Sequence, residues 1–165
     1  MIKIDQSETI NLNFFDYLVK SHALSEHGYH GPDHWLRVLQ NGRLLTPLTG
    51  ANLRVVELFA LIHDSKRINE NIDPEHGPRA ALFAASLRNK WFEVTDDEMQ
   101  LLDEACRLHS DGFVDSDVTV QTCWDSDRLD LGRVGIKPHP TRLCTDAAKN
   151  NEFLAAAYER SIIGS

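Results

Sequence analysis

His63 and Asp64 are adjacent polar residues at the end of an apolar run, VVELFALIHD. Imidazole nitrogens and carboxylate oxygens are common ligands of divalent metal ions. Asp127 falls on the apolar stripe of its own segment, together with Val120 and Trp124. Because a buried ionised carboxylate without a partner is costly, Asp127 is expected to face a cation. A metal ion is one candidate for that cation. For Asp127, the alternative is an ion pair with an arginine or a histidine in the core. For His63 and Asp64, the alternative is a surface helix end with a capping histidine.

An all-α fold must position these residues, and six or seven helices in a single domain over residues 1–165 are predicted. The spacing of apolar side chains predicts helices at 10–20, 33–46, 53–64, 117–131 and 144–162. Pro47 is expected to begin a break. A further helix should restart between Asp73 and Pro78. Thr95 and Glu98 form a capping box that opens the helix after it. No segment is long enough for a convincing pair of strands.

Bulk composition narrows the classes of partner. The chain has 165 residues and a net charge of −8, which argues against non-specific binding of nucleic acid. No apolar run approaches the length that crosses a bilayer, and the first residues lack the layout of a signal peptide. The three cysteines, Cys106, Cys123 and Cys144, are far apart and odd in number, which is typical of reduced thiols. We therefore expect a cytoplasmic protein without a membrane partner, and the sequence leaves a homodimer open.

Three segments in the order H…HD…D resemble the HD superfamily of metal-dependent phosphohydrolases. They are HWLRVL with His34, LIHD with His63 and Asp64, and WDSDRLDLGRVGI with Asp127. The match covers roughly residues 25–140. The resemblance implies an all-helical fold in which these four residues bind one divalent ion. It does not distinguish Mn, Mg, Co, Ni, Fe or Zn.

The resemblance also implies a reaction, the hydrolysis of a small phosphate ester, and a nucleotide is the substrate class that we favour. A metal-bound water would attack the ester, and Asp64 could orient that water or accept its proton. Asp127 is assigned as the ligand instead of Asp125 because it precedes a basic residue and Leu, as in the family, and periodicity selects the same residue. Lys66 and Arg67 are expected to neutralise the substrate phosphate; a solvated helix end is the alternative.

Two further histidines, His76 and His109, lie between the doublet and the last aspartate. In several branches of the family, histidines in this part of the chain hold a second metal ion. Contact with the substrate phosphate and a structural role are the alternatives. Arg37 and Asp130 are expected to contact substrate, with a role behind a metal ligand as the alternative for Asp130. His30 lies near the expected mouth of the site and could gate it.

Two other function classes remain open on the sequence alone. The HD fold also hosts di-iron oxygenases with the ligand order H…HD…H…H…D, which this chain can supply. A binding module without turnover, in which the metal site is structural or senses a nucleotide, is the other. The basic residues around the doublet favour the phosphohydrolase over the oxygenase.

Overall fold

The computed structural model describes residues 4–163, and this part of the chain is all-helical, as predicted. The helices are α1 (Leu12–Ser21), α2 (Pro32–Thr49), α3 (Leu53–Ile62), α4 (His76–Leu87), α5 (Asp96–Leu108), α6 (Val118–Arg128), α7 (Asp146–Lys149) and α8 (Asn151–Ile163). Two short 3-10 turns, Leu131–Val134 and Pro140–Arg142, connect α6 to α7. Within residues 4–163 no strand forms, and no helix is both long and apolar enough to cross a bilayer.

The apolar helix α3 lies at the centre of the bundle. Residues 55–62 are all buried, and α3 contacts α1, α2, α4, α5 and α6. Glu57 is the one charged residue in this buried stretch. Its carboxylate pairs with Nε of Arg43 at 2.7 Å and accepts a hydrogen bond from the hydroxyl of Ser7 at 2.7 Å. Its charge is therefore not buried without partners.

Two helix ends differ from the prediction. The expected break at Pro47 is wrong, because α2 continues through Pro47 to Thr49. The proline lies in the last turn, where its missing N–H costs a single hydrogen bond, and the stop comes instead from Gly50 in the left-handed region (φ 76°). Helix α3 ends at Ile62 and not at Asp64, so the His-Asp pair lies in the turn that follows.

Residues 4–163 form eight helices where six or seven were predicted, because the expected last helix, 144–162, is divided. The backbone of Asn150 is extended, and its side chain accepts hydrogen bonds from the amides of Glu152 and Phe153, each at 3.1 Å. Asn150 therefore starts a new helix inside the predicted one. A smaller apolar cluster lies beneath this region and consists of Leu45, Leu129, Leu143, Ala148, Leu154 and Ala157.

The predicted capping box at the start of α5 is confirmed. The hydroxyl of Thr95 accepts from the amide of Glu98 at 3.2 Å, and the Glu98 carboxylate accepts from the amide of Thr95 at 2.8 Å. We expect Thr95→Ala to lower the free energy of unfolding by about 1 kcal/mol, because an amide loses its acceptor. Urea unfolding followed by circular dichroism measures this change. Gln100→Ala, at an exposed position of α5, is the control and should leave the stability unchanged.

Candidate metal centre

Four imidazoles and two carboxylates converge where the ends of α2 to α6 meet. All six are buried or nearly so. They comprise every residue predicted as a ligand and both additional histidines: His34, His63, Asp64, His76, His109 and Asp127. The side chain of Asp127 is the most exposed of those that border His34, at 16%, so solvent approaches the centre from the side of α6.

The four residues predicted to share one ion do lie together, and we call them the first subsite. Nε2 of His34 lies 3.1 Å from Nε2 of His63 and 3.2 Å from Oδ1 of Asp127. Oδ2 of Asp64 lies 3.5 Å from His34 Nε2 and 3.7 Å from His63 Nε2. Ligands placed about 2.0–2.2 Å from one ion are about 3.0–3.5 Å apart. The spacing is therefore compatible with one divalent ion.

A second subsite adjoins the first through Asp64. Nε2 of His76 lies 2.8 Å from Nε2 of His109, and these two nitrogens lie 3.3 and 3.4 Å from Oδ1 of Asp64. The other oxygen of the same carboxylate, Oδ2, faces His34 and His63. The two oxygens of Asp64 therefore point at two different pairs of imidazoles.

Hydrogen bonds on the outer side of the rings determine which nitrogen faces the centre. Nδ1 of His63 and of His109 lie 3.1 and 2.7 Å from carbonyl oxygens in the last turns of α3 and α5. Nδ1 of His76 contacts the carbonyl oxygen of Asp73. Because a carbonyl can only accept, we assign the ring proton to Nδ1 in each case, which leaves the lone pair of Nε2 pointing inward. The carbonyls at a helix end lack partners within the helix, so these histidines also cap α3 and α5.

The atoms that face the centre are imidazole nitrogens and carboxylate oxygens, which are common ligands of divalent ions. Burial alone would raise the pKa of Asp64, but the imidazoles of His63, His109 and His30 outweigh it and hold this pKa well below its ordinary value. Burial, together with the charge of His109, lowers the pKa of His76 to about 4. Near pH 7 the carboxylate is ionised and His76 is neutral, which is the state in which both groups bind metals. The donor set therefore fits a divalent ion.

Asp130 lies behind His34. Its Oδ2 accepts from Nδ1 of His34 at 2.6 Å, and its Oδ1 accepts from Nε of Arg37 at 2.7 Å. Asp130 is only 1% exposed. The expectation that Arg37 and Asp130 contact substrate is thus less well supported than the alternative, in which Asp130 orients a metal-binding imidazole and Arg37 holds Asp130.

We expect Asp130→Asn to weaken metal binding by about 10- to 100-fold, because the ring of His34 loses the carboxylate that orients it. Competition with a coloured chelator measures this affinity. Asp111→Asn, at an exposed position, is the matched control. Unchanged metal affinity combined with a raised KM would instead support a direct contact between Asp130 and substrate.

No protein-family model, curated protein or solved structure matches this chain when it is compared with known proteins.

The structure separates the two basic residues that follow the doublet. Nε of Arg67 lies 3.3 Å from Oδ1 of Asp64, beside the second subsite. Nζ of Lys66 donates to the carbonyl oxygen of Ser21 at 3.2 Å and lies 3.8 Å from the centre of the Phe83 ring. Arg67 therefore contacts the metal centre. Lys66 instead contacts α1 and α4.

The sequence placed His30 only near the mouth of the site, and in the structure His30 contacts the centre itself. Its Nδ1 lies 2.8 Å from Oδ2 of Asp64, and the indole of Trp35 donates to the carbonyl oxygen of His30 at 2.8 Å. The one sequence signal for this contact is weak. His30 precedes His34 by four residues, which corresponds to one helical turn, but the intervening GPD is typical of a loop.

The choice of Asp127 over Asp125 agrees with the geometry. Oδ1 of Asp127 faces the imidazoles of the first subsite. Asp125 points away, and its carboxylate accepts from the amides of Cys144 and Thr145 at 2.7 and 2.8 Å. Asp125 therefore anchors the segment before α7 to α6, and this role needs no metal.

Proposed function

We propose that this chain is a metal-dependent phosphohydrolase that binds two divalent ions and hydrolyses a small phosphate ester, such as a nucleotide. The observation that carries the proposal is the position of Asp64, whose carboxylate oxygens face two different pairs of imidazoles. In two-metal sites the ions lie about 3.5–4 Å apart, and a shared carboxylate suits that spacing. The resemblance of the segments around His34, His63 and Asp127 supports the class of reaction.

When bound, divalent ions polarise a phosphoryl oxygen and lower the pKa of a bound water. The residues of the chain supply the rest. Four neutral imidazoles and two carboxylates hold two divalent ions with a surplus of positive charge, which attracts an anionic substrate in a chain whose net charge is −8. With both subsites filled, the two oxygens of Asp64 would serve as ligands, so its role would be to hold the ions and not to accept a proton. The guanidinium of Arg67, next to Asp64, is placed to neutralise phosphate charge.

The test starts from purified protein stripped of metal with a chelator. The stripped protein should be inert towards 4-nitrophenyl phosphate and should regain activity with manganese, cobalt or nickel. Elemental analysis after dialysis should find two ions per chain. A panel of nucleoside mono-, di- and triphosphates then identifies the preferred substrate through phosphate release. The reaction class is wrong if protein loaded with two ions releases phosphate from none of these compounds.

An iron-dependent oxygenase is the second candidate, and one observation favours it. His76, His109 and Asp64 form a set of two imidazoles and one carboxylate, and so do His34, His63 and Asp127. Two imidazoles with one carboxylate, leaving open positions, is the ligand set typical of non-haem iron oxygenases. Anaerobic loading with Fe²⁺ followed by exposure to oxygen separates the candidates. An oxygen-dependent optical change without phosphate release would favour the oxygenase.

A further inference from the structure

A cavity of about 400 Å³ opens between the end of α1, the segment after Asp64 and the helix α4. None of the six metal-centre residues lines it. Its walls are formed by Ser21, Ala23, Ser65, Lys66, Arg67, Ile68, Arg79, Leu82 and Phe83. The volume is within the range of small-molecule binding sites. We call it the lateral cavity, because it lies beside the metal centre. Arg67 lines the cavity, and its side chain also contacts Asp64.

The charged residues that line the lateral cavity are all basic. Three of the lining residues are basic and none is acidic. Arg79 is paired with Asp73, whose carboxylate lies 2.5 Å away, and Arg67 with Asp64. Lys66 makes no ion pair within 4.0 Å among residues 4–163. Its ammonium group has a carbonyl oxygen and an aromatic ring as neighbours. In a chain with a net charge of −8, an ammonium group left without a carboxylate is free to pair with an external anion.

The rest of the wall is apolar. Ile68 and Leu82 are 65% and 66% exposed, and Phe83 is half-buried beside Tyr17, its ring centroid 6.4 Å away. Large apolar side chains in the same wall as a cationic group fit a ligand that has both an anionic and an apolar part. Inorganic phosphate alone would leave this apolar surface in water.

We propose that the lateral cavity binds a small organic anion, with its phosphate, phosphonate or carboxylate group against Lys66 and its apolar part against Ile68, Leu82 and Phe83. The site is distinct from the metal centre, and the proposal does not depend on the reaction proposed there. Arg67 borders both places, since it lines the cavity and contacts Asp64. Arg67 is thus a wall residue that the lateral cavity shares with the second subsite.

Phenylphosphonate is a suitable probe, because its P–C bond is not hydrolysed by a phosphatase and it carries both an anionic and an apolar part. Binding is measured by titration calorimetry on the full chain, once stripped of metal and once loaded with manganese. We expect saturable binding in both states, and in the stripped protein the amide NMR signals of residues 65–68 and 79–83 should shift. Benzyl alcohol, which lacks the charge, and inorganic phosphate, which lacks the ring, should each bind more weakly.

Lys66→Met should weaken the binding of phenylphosphonate by about tenfold or more, because a charge-assisted hydrogen bond is lost. Lys90→Met, at an exposed position that does not line the cavity, should bind as the unaltered chain does. Leu82→Gln should weaken the binding of phenylphosphonate but not that of phosphate. The proposal is overturned if binding requires manganese, if Lys66→Met binds normally, or if the stripped protein shows no saturable binding at millimolar probe. The first of these outcomes would place the anion at the metal centre.

Discussion

Replacing Asp64 by asparagine should reduce metal binding from two ions per chain to one or none and lower phosphatase activity by about a thousandfold. The reason is geometric, since one carboxylate faces His34 and His63 with Oδ2 and His76 and His109 with Oδ1. An amide offers a neutral oxygen on one side and a donor on the other, so it cannot serve both pairs. Elemental analysis after dialysis and the rate of 4-nitrophenyl phosphate hydrolysis give the two readings.

Asp16→Asn, at an exposed position of α1, is the matched control and should retain both the metal and the activity. The Asp64 variant should still fold when checked by circular dichroism, because its side-chain volume is unchanged. Full activity in Asp64→Asn would contradict the assignment of the centre. Loss of a single ion with the activity retained would show that one subsite is sufficient for catalysis.

Gly77→Ala should empty the second subsite selectively and lower the free energy of unfolding by about 1–3 kcal/mol. A Cβ at Gly77 would lie 2.7 and 2.9 Å from the carbonyl oxygens of Cys106 and Arg107, which belong to the backbone of α5 and cannot rotate away. The α4 helix would have to move off α5, and His76 would move away from His109 with it. Metal stoichiometry and urea unfolding measure the two effects.

A second close contact between helices supplies the control. At Gly42 an added Cβ would meet Cγ1 of Val56 at 2.5 Å, which is a side-chain atom in the contact between α2 and α3. Gly42→Ala should also destabilise the chain, yet it should keep the second subsite, because α4 and α5 are not involved. Equal losses of metal in the two variants would mean that stability, and not the separation of His76 from His109, controls occupancy.

The fold was predictable because its strongest signals are local. The apolar run before His63 had to be buried on most sides, and the Thr95 capping box required a helix start. The errors are also local. The sequence offered two possible ends for α2, at Pro47 and at Gly50, and did not show which of them is used. It also did not show that the side chain of Asn150 would cap a new helix.

The first subsite was predictable from the order of the motifs. Periodicity also selected Asp127, yet Asp125 is fully buried and the side chain of Asp127 is 16% exposed, so burial does not distinguish the ligand from its neighbour. The link between the subsites was not predictable. It depends on the direction of the two carboxylate oxygens of Asp64 and on the approach of α4 to α5 at Gly77, and neither leaves a pattern in the sequence.

The different contacts of Lys66 and Arg67 were hidden for a similar reason. The two residues are neighbours in the turn that follows α3, and sequence spacing alone treats them as one basic pair. In the structure one reaches Asp64 and the other reaches Ser21. Successive side chains in a turn point in different directions, so two adjacent basic residues can contact different parts of the structure.

The six side chains of the centre come from α2, α4, α6 and the turns that follow α3 and α5, so they join five separate parts of the chain. Ions held by the two subsites would be cross-links that close several long loops at once. An unfolded chain cannot assemble this ligand set, so the free energy of metal binding adds to that of folding. When free metal is scarce, the whole bundle would open more often and be exposed to proteases. Metal supply would then control the lifetime of the protein as well as its turnover.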